Sequence, residues 1–229
     1  MKKTQIKICC IASEEEAQMA LNEGVGAVGL VGEMPSGPGV IGSDRASSIV
    51  AVLPDSVDSF FLTSHDRGRD IVEELGVSHA STVQIVRHID PVEYLPVIEN
   101  LPKLRRVQVI HVENDSALEL IERYSEVADA FLLDSGKTMG ANPQFGGTGK
   151  VHDWTISKQF VQSTDLPVYL AGGLSSENVF RAITEVRPAG VDVCSGVRSN
   201  DTLDSEKVQA FVKEVKRADE AINRPSSKS

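Results

Sequence analysis

Residues 167–196 read PVYLAGGLSSENVFRAITEVRPAGVDVCSG, and this stretch contains one pattern twice. The apolar run Pro167–Ala171 ends in paired glycines, and the apolar run Gly190–Cys194 ends in a Ser-Gly pair. Between them, Ser176–Val186 has the spacing of an amphipathic helix. Apolar strands that alternate with helices in this way are typical of a parallel sheet whose outer face the helices cover.

The same unit recurs along the whole chain. The predicted strands are Ile6–Cys10, Ala27–Val31, Val57–Thr63, Thr82–Val86, Arg106–Val112, Ala130–Asp134, Pro167–Ala171 and Gly190–Cys194. The predicted helices are Ser13–Glu23, Ser43–Val52, Asp66–Leu75, Val92–Asn100, Ser116–Tyr124, Thr155–Gln162, Ser176–Val186 and Ser205–Ala218. Eight strand–helix pairs in 229 residues favour a single α/β (β/α)₈ TIM barrel over an open doubly wound sheet. We assign the barrel to residues 1–220 and a polar tail to residues 221–229.

Composition restricts the possible partners and the compartment. The formal net charge is −10, which argues against a nucleic-acid surface. No apolar run approaches the ~18 residues of a membrane helix, and the first residues lack the pattern of a signal peptide. The three cysteines, Cys9, Cys10 and Cys194, form neither a disulfide framework nor a metal motif. We therefore expect a cytoplasmic protein without nucleic-acid, membrane or metal partners.

Glycine-rich turns follow three of the predicted strands. Because TIM barrels often hold a phosphate on the loops after strands seven and eight, and glycine lets a backbone approach a ligand closely, these turns predict a phosphorylated small-molecule ligand. An ordinary tight turn is the alternative for any single pair. The predicted phosphate-binding residues are Gly147, Thr148, Gly149, Gly172, Gly173, Ser195 and Gly196.

Several short motifs follow one another in a specific order and spacing. They are Lys7-Ile-Cys9, Leu132-Leu-Asp-Ser135, Phe145-Gly-Gly-Thr-Gly149, Asp153-Trp154, Leu170-Ala-Gly-Gly-Leu174 and Gly190-Val-Asp-Val-Cys-Ser-Gly-Val197. In this combination the chain resembles the phosphoribosylanthranilate isomerase family of tryptophan biosynthesis over nearly its whole length. The resemblance implies a TIM barrel, monomeric or homodimeric, that carries out an Amadori rearrangement of a phosphoribosylated amine without a cofactor.

The resemblance also implies the catalytic residues. Cys9 matches the family's general base, which removes a proton from the second sugar carbon, and Asp134 matches the general acid, which protonates the furanose ring oxygen. Lys7 precedes Cys9 by two residues and so shares its strand face, where its charge would favour a thiolate. Cys10 should then face the helices as a packing residue, and Cys194 either lines the mouth of the barrel or fills it, with packing preferred. Asp192 either orients the site or pairs with a buried lysine.

The sequence departs from the family mainly in its first half. Cys10 stands where the family usually has glycine, and Gly39 falls at the position of the arginine that binds the anthranilate carboxylate. In the family's Val-Gln-Leu-His-Gly motif, Val86 replaces the histidine and Arg87 replaces the glycine. Arg198 replaces the glutamate of a final Gly-Val-Glu.

These departures leave three interpretations open. Arg87, His88 or His111 supplies the missing contact to the carboxylate, with Arg87 and His111 preferred. Alternatively, the substrate is a different phosphorylated sugar amine. In the third interpretation, the barrel binds a phosphosugar without catalysis, although Cys9 and Asp134 argue against that because binding alone requires no acid–base pair.

Overall fold

Eight parallel strands close into a barrel in this computed structural model, which describes residues 3–35, 38–135 and 153–224. Each strand is hydrogen-bonded to the next in chain order, and β8 pairs with β1. The strands are β1 (Gln5–Ile8), β2 (Ala27–Val31), β3 (Asp58–Thr63), β4 (Thr82–Ile85), β5 (Arg105–His111), β6 (Ala130–Asp134), β7 (Val168–Leu170) and β8 (Gly190–Val193). The predicted TIM barrel is therefore confirmed.

Helices connect the strands on the outside of the barrel. They are α1 (Glu14–Asn22), α2 (Ser43–Ala51), α3 (Gly68–Ser78), α4 (Tyr94–Asn100), α5 (Glu119–Tyr124), α6 (Trp154–Gln162), α7 (Val179–Val186) and α8 (Ser205–Asn223). Short 3₁₀ turns precede α4 and α5, at Pro91–Glu93 and Asp115–Leu118, and a third spans Ser195–Val197 after β8. Two-residue strands, β9 (Arg198–Ser199) and β10 (Thr202–Leu203), pair before α8.

Alternation along the strands separates two layers of packing. On β6, Phe131 and Leu133 join the large apolar cluster between barrel and helices, whereas Ala130 and Leu132 join the cluster inside the barrel. Burying a large apolar side chain contributes about 1.5–3 kcal/mol, so both layers stabilise the fold. Asp134 is the next inward-facing position, and it reaches the carboxyl end of the strand.

The residue just before β1 is bound to the last helix. The backbone N–H and the hydroxyl of Thr4 both donate to the Asp219 carboxylate on α8. Of the tail predicted for residues 221–229, residues 221–223 belong to α8, and residues 225–229 lie outside the described residues. Within the described ranges, none of the helices combines the length and the apolar character needed to cross a membrane.

Candidate active site

A cavity opens at the carboxyl ends of the strands, and its empty space, including the part open to solvent, is about 780 Å³. Cys9, just after β1, and Asp134, at the end of β6, both line it. Its wall also contains Gly172 and Gly173 after β7, and Ser195 after β8. The fold thus gathers the predicted acid, the predicted base and part of the predicted phosphate site in one chamber, on the barrel face where active sites of this fold lie.

A buried cation lies beside Cys9. Lys7 is fully buried on β1, and its Nζ is 2.9 Å from Oδ1 of Asp192, its neighbour in register on β8. Burial lowers the pKa of Lys7. The electrostatic interactions of Lys7 with Asp192 and Cys9 act in the opposite direction, and the net result is a pKa above the ordinary value for lysine. Lys7 therefore remains an ammonium group. Of the two roles predicted for Asp192, the pairing with a buried lysine is the one observed.

Gly29 on β2 leaves the space that brings Cys9 and Lys7 together. A Cβ at this position would lie 2.9 Å from Cys9 Sγ and 2.9 Å from Lys7 Nζ, both closer than real Cβ contacts. The thiol and the ammonium group therefore rest against the same point of the β2 backbone. Any side chain at position 29 would displace one of them.

Asp134 lies on a different side of the cavity from Cys9. Strand β6 is three strands from β1 around the barrel, through β8 and β7. One carboxylate oxygen of Asp134 accepts a hydrogen bond from the Ser135 N–H at 2.7 Å, which fixes the carboxylate orientation. Burial, with a smaller contribution from the Asp134 charge, raises the pKa of Asp192 despite Lys7. The two carboxylates and the ammonium group therefore form one electrostatic cluster.

The loops after β6, β7 and β8 pack closely. Gly172 and Gly173 have positive φ angles of 82° and 63°, and a Cβ at position 172 would lie 3.0 Å from Ser135. A Cβ at Gly196 would lie 2.0 Å from the Leu174 carbonyl oxygen, so only glycine fits there. The other predicted phosphate-binding residues, Gly147, Thr148 and Gly149, lie outside the described residues.

Asn178 holds the loop after β7 in shape. Its side-chain nitrogen donates to the Gly173 carbonyl, and its side-chain oxygen accepts from the Ser175 N–H, each at 2.9 Å. Because these bonds keep the chain in a turn, α7 begins at Val179 and not at the predicted Ser176.

The side of the cavity away from the glycine loops that follow β7 and β8 is largely apolar. Val31, Met34, Leu62, Val86 and Val109 line it. This wall suits a flat hydrocarbon surface such as an aromatic ring.

The three residues predicted as candidate contacts to the substrate carboxylate occupy different positions relative to the cavity. His111 is buried and lines the cavity, and its Nε2 lies 2.9 Å from the Val86 carbonyl, so this nitrogen donates. Arg87 and His88 are not among the described residues that line the cavity. Burial, with help from the nearby His111 and Arg123, lowers the pKa of His88 to about 4, so that His88 is neutral near pH 7.

Cys10 does not face the helices, so that prediction is wrong. Strand β1 ends at Ile8, and Cys10 adopts a left-handed backbone with φ of 63°, which turns its side chain to the cavity. This conformation explains the family's glycine, because an L-residue there costs about 1–2 kcal/mol. A Cβ at Gly39 would lie 2.7 Å from Cys10 Cβ. Two departures from the family pattern are therefore in direct contact.

Cys194 lies at the end of β8 and lines the same cavity. It is half-buried, and its Sγ is 2.8 Å from Sγ of Cys10, with which it shares a hydrogen bond.

No group of three or more His, Cys, Asp or Glu side chains in residues 3–35, 38–135 and 153–224 is arranged to bind a metal ion.

Arg198 links the segment after β8 to α1 through hydrogen bonds. Its guanidinium makes two hydrogen bonds to the Glu16 carboxylate, of 2.8 and 3.0 Å, and also donates to the Cys10 carbonyl. Burial raises the pKa of Glu16, but the bonds from Arg198 and from the backbone N–H groups of Ala12 and Leu203, with the charge of Arg198, together outweigh burial and lower it. The arginine that replaces the family's glutamate therefore has a partner in this chain.

Gln84 is a cavity residue that the sequence reasoning missed. Its side chain is buried at the centre of β4, it lines the cavity, and its Oε1 has no hydrogen-bond partner among the described residues. The available signal was its position two residues before Val86, on the inward face of a predicted strand.

The chain matches one protein family over residues 7–214, and that family is described as N-(5'-phosphoribosyl)anthranilate (PRA) isomerase. A relative from Methanocella arvoryzae with the same name is 34% identical over 215 residues, which cover 93% of this chain and 98% of the relative. N-(5'-phosphoribosyl)anthranilate isomerase 1 of Methanosarcina mazei is 35% identical and covers 93% of this chain and 95% of its own length.

Solved structures agree in fold. One is a phosphoribosylanthranilate isomerase in complex with reduced 1-(o-carboxyphenylamino)-1-deoxyribulose 5-phosphate, which is 25% identical, with a TM-score of 0.75 and coverage of 93% of this chain and 99% of its own. Another contains monomers generated from the dimeric enzyme of Thermotoga maritima, also 25% identical, with a TM-score of 0.76 and the same coverage.

Proposed function

The chain belongs to the N-(5'-phosphoribosyl)anthranilate isomerase family, and on that premise we propose that Cys9 and Asp134 are its catalytic pair. The protein is an aldose–ketose isomerase of tryptophan biosynthesis, which acts on a phosphoribosylated aromatic amine. The observation that supports the pair most strongly is that both side chains line the same cavity, at the ends of β1 and β6.

The two residues divide the proton transfers. Asp134 donates a proton to the furanose ring oxygen, the ring bond to the first carbon breaks, and the amine nitrogen supplies the electron pair that forms an iminium group. Cys9 then removes the proton from the second carbon, and the electrons of that bond neutralise the iminium as an enolamine. Proton return at the first carbon and conversion of the enol to a ketone give the 1-amino-1-deoxyketose.

Lys7 supports the base without touching the substrate. Its ammonium group is buried against Gly29 beside the Cys9 sulfur and stays charged through its ion pair with Asp192. A fixed positive charge in a region of low dielectric stabilises negative charge on the sulfur before it takes the proton.

The substrate phosphate binds on the glycine loops. Gly172, Gly173 and Ser195 line the cavity and Gly196 lies in the adjoining turn, so backbone N–H groups can approach an anion there. Gly147, Thr148 and Gly149 complete this site in the proposal on the basis of the sequence alone.

The aromatic acid binds at the opposite end. Its ring lies on the apolar wall that includes Val31 and Leu62, and His111 is the preferred contact to the carboxylate because it lines the cavity. Arg87 is the second candidate and would need to turn toward the cavity. Gly39 cannot take the role of the family's arginine, because it has no side chain.

The remaining features follow from the same proposal. The partner is a phosphorylated small molecule, and no cofactor or nucleic acid is involved. The protein is a monomer or a homodimer, the latter supported by the dimeric Thermotoga maritima enzyme. It forms one barrel, whose last helix α8 extends to Asn223, and it works in the cytoplasm.

Complementation of a tryptophan auxotroph that lacks this isomerase tests the proposal. The wild-type chain should restore growth without tryptophan, and Cys9→Ala and Asp134→Ala, expressed at the same level, should not. Growth that persists in both variants would refute the acid–base assignment. If the well-expressed wild-type chain gives no growth, anthranilate is not the amine, and the contact between Cys10 and Gly39 would be the place to look for altered specificity.

A further inference from the structure

We propose that Cys10 and Cys194 form an oxidisable dithiol at the rim of the cavity, which a hydroperoxide converts to a disulfide that reversibly lowers turnover. Neither thiol has a role in the acid–base chemistry assigned to Cys9 and Asp134. Formation of the disulfide is independent of the proposed function, whereas the effect on turnover rests on it.

The geometry already brings the two sulfurs together. The Cys10 and Cys194 Sγ atoms are 2.8 Å apart, and a disulfide bond needs about 2.05 Å. The two residues follow β1 and β8, which are adjacent strands paired in register at Ile8 and Val193. A small movement of either loop therefore closes the bond without disturbing the barrel.

The two thiols differ in reactivity. Both thiols line the same two adjoining cavities, but Cys194 is half-buried whereas Cys10 is 6% exposed, so a small oxidant reaches Cys194 more easily. The hydrogen bond shared with Cys10 lowers the pKa of Cys194, and the charge of Arg198 acts in the same direction. The same bond raises the pKa of Cys10. Cys194 is therefore the thiol that reacts first, and Cys10 resolves the product.

The chemistry balances with a hydroperoxide as the oxidant. The Cys194 thiolate attacks one peroxide oxygen, the O–O bond breaks, and protonation of the departing hydroxide gives water and a sulfenic acid on Cys194. The Cys10 sulfur then attacks the Cys194 sulfur, its proton leaves with the hydroxyl group as a second water, and the S–S bond forms. Two thiols lose two electrons in total, and one peroxide is reduced to two waters. A dithiol reductant reverses the reaction.

The disulfide would disturb catalysis because of what adjoins it. Cys10 follows the proposed base Cys9, and Cys194 precedes Ser195 of the proposed phosphate loop. Both sulfurs line the cavity, so the bond displaces at least one of these neighbours by a fraction of an ångström. Since a misplacement of 1 Å costs on the order of 10²-fold in rate, we expect at least about a ten-fold fall in kcat.

The first experiment detects the bond without using activity. The protein is exposed to stoichiometric hydrogen peroxide, denatured, and labelled with N-ethylmaleimide for intact-mass analysis. Cys9→Ser retains Cys10 and Cys194, and it should pass from two labels to none and recover both with dithiothreitol. Cys10→Gly, which suits the left-handed backbone, and Cys194→Ser should not form the bond. If Cys9→Ser keeps both labels, or if Cys10→Gly forms a disulfide, the proposal is overturned.

The second experiment measures turnover before and after the same treatment. The wild-type kcat should fall at least ten-fold and return with dithiothreitol, while Cys10→Gly should keep most of its own starting kcat. An equal loss in Cys10→Gly would assign the inactivation to another thiol and overturn the link to turnover, as would a disulfide-linked wild type with full activity.

Discussion

An alanine at position 29 would test whether the positions of the buried Lys7 ammonium group and the Cys9 thiol beside Gly29 matter for turnover. Gly29 lies on β2 with ordinary strand geometry, so the substitution adds a methyl group without forcing a positive φ. That methyl would lie 2.9 Å from both Cys9 Sγ and Lys7 Nζ, and 3.1 Å from the Cys9 Cα. Ordinary contacts of this kind are 3.4–4 Å, so at least one of the two groups must move by roughly 0.5 Å or more.

The size of the effect follows from this displacement. Overpacking a buried site costs about 1–3 kcal/mol, which a fold of ordinary stability survives. Because a 1 Å misplacement of a reacting group costs on the order of 10²-fold, a shift of half that size predicts about a ten-fold fall in kcat. KM should change little, since the loops proposed to bind the phosphate follow other strands. Steady-state kinetics and urea unfolding of Gly29→Ala measure both quantities.

Gly76→Ala is the matched control. Gly76 lies within α3, and a Cβ there meets nothing within 4 Å. Alanine should therefore stabilise the fold by about 0.5–1 kcal/mol and leave kcat unchanged. A Gly29→Ala variant that is folded and has the wild-type kcat would refute the argument that the observed positions of Lys7 and Cys9 beside Gly29 are needed for catalysis.

Three further predictions concern other contacts. Asp192→Asn leaves the Lys7 charge buried without its partner and should cost about 3–5 kcal/mol in urea unfolding, whereas a loss below about 1 kcal/mol would contradict the ion pair. Gly39→Arg should destabilise by about 1–3 kcal/mol because its Cβ meets Cys10, and Cys10→Gly should recover part of this loss; additive effects in the double-mutant cycle would contradict the contact. The pKa of His88 is about 4 in the fold against 6.5 ordinarily, so the unfolded chain binds more protons between these values. Stability that His88 contributes is therefore complete above pH 6.5 and is lost as pH falls toward 4, by up to about 1.4 kcal/mol per pH unit; unfolding of His88→Asn should lack this component, and an identical slope would contradict it.

The barrel itself could be predicted from the sequence because its strands are short apolar runs bounded by polar or glycine turns. Ala27–Val31 and Ala130–Asp134 coincide with the observed β2 and β6. Errors at other ends have local causes. Strand β1 ends two residues before the predicted Cys10, because the positive φ of Cys10 breaks the extended geometry that parallel pairing requires.

The site was only partly accessible from the sequence. Alternation on a strand places Lys7 and Cys9 on one face, but it cannot show that Gly29 of another strand completes the contact. Ser13 and Glu16 have the sequence spacing of a helix capping box, and the structure forms only half of it. Ser13 caps α1, whereas the Glu16 carboxylate binds Arg198, which is 182 residues away in sequence. Sequence patterns that span only a few residues could not predict Arg198 as the partner of Glu16. They also could not predict that Cys10 and Gly39 lie side by side.

The most direct test of the catalytic pair is the single-turnover rate of purified Cys9→Ser and Asp134→Asn with N-(5'-phosphoribosyl)anthranilate. Each variant should bind the substrate with an affinity close to wild type, because the loops proposed to bind the phosphate are unchanged, and should convert it about 10²–10⁴-fold more slowly. Conversion by either variant within about ten-fold of the wild-type rate would contradict the assignment of that residue to proton transfer.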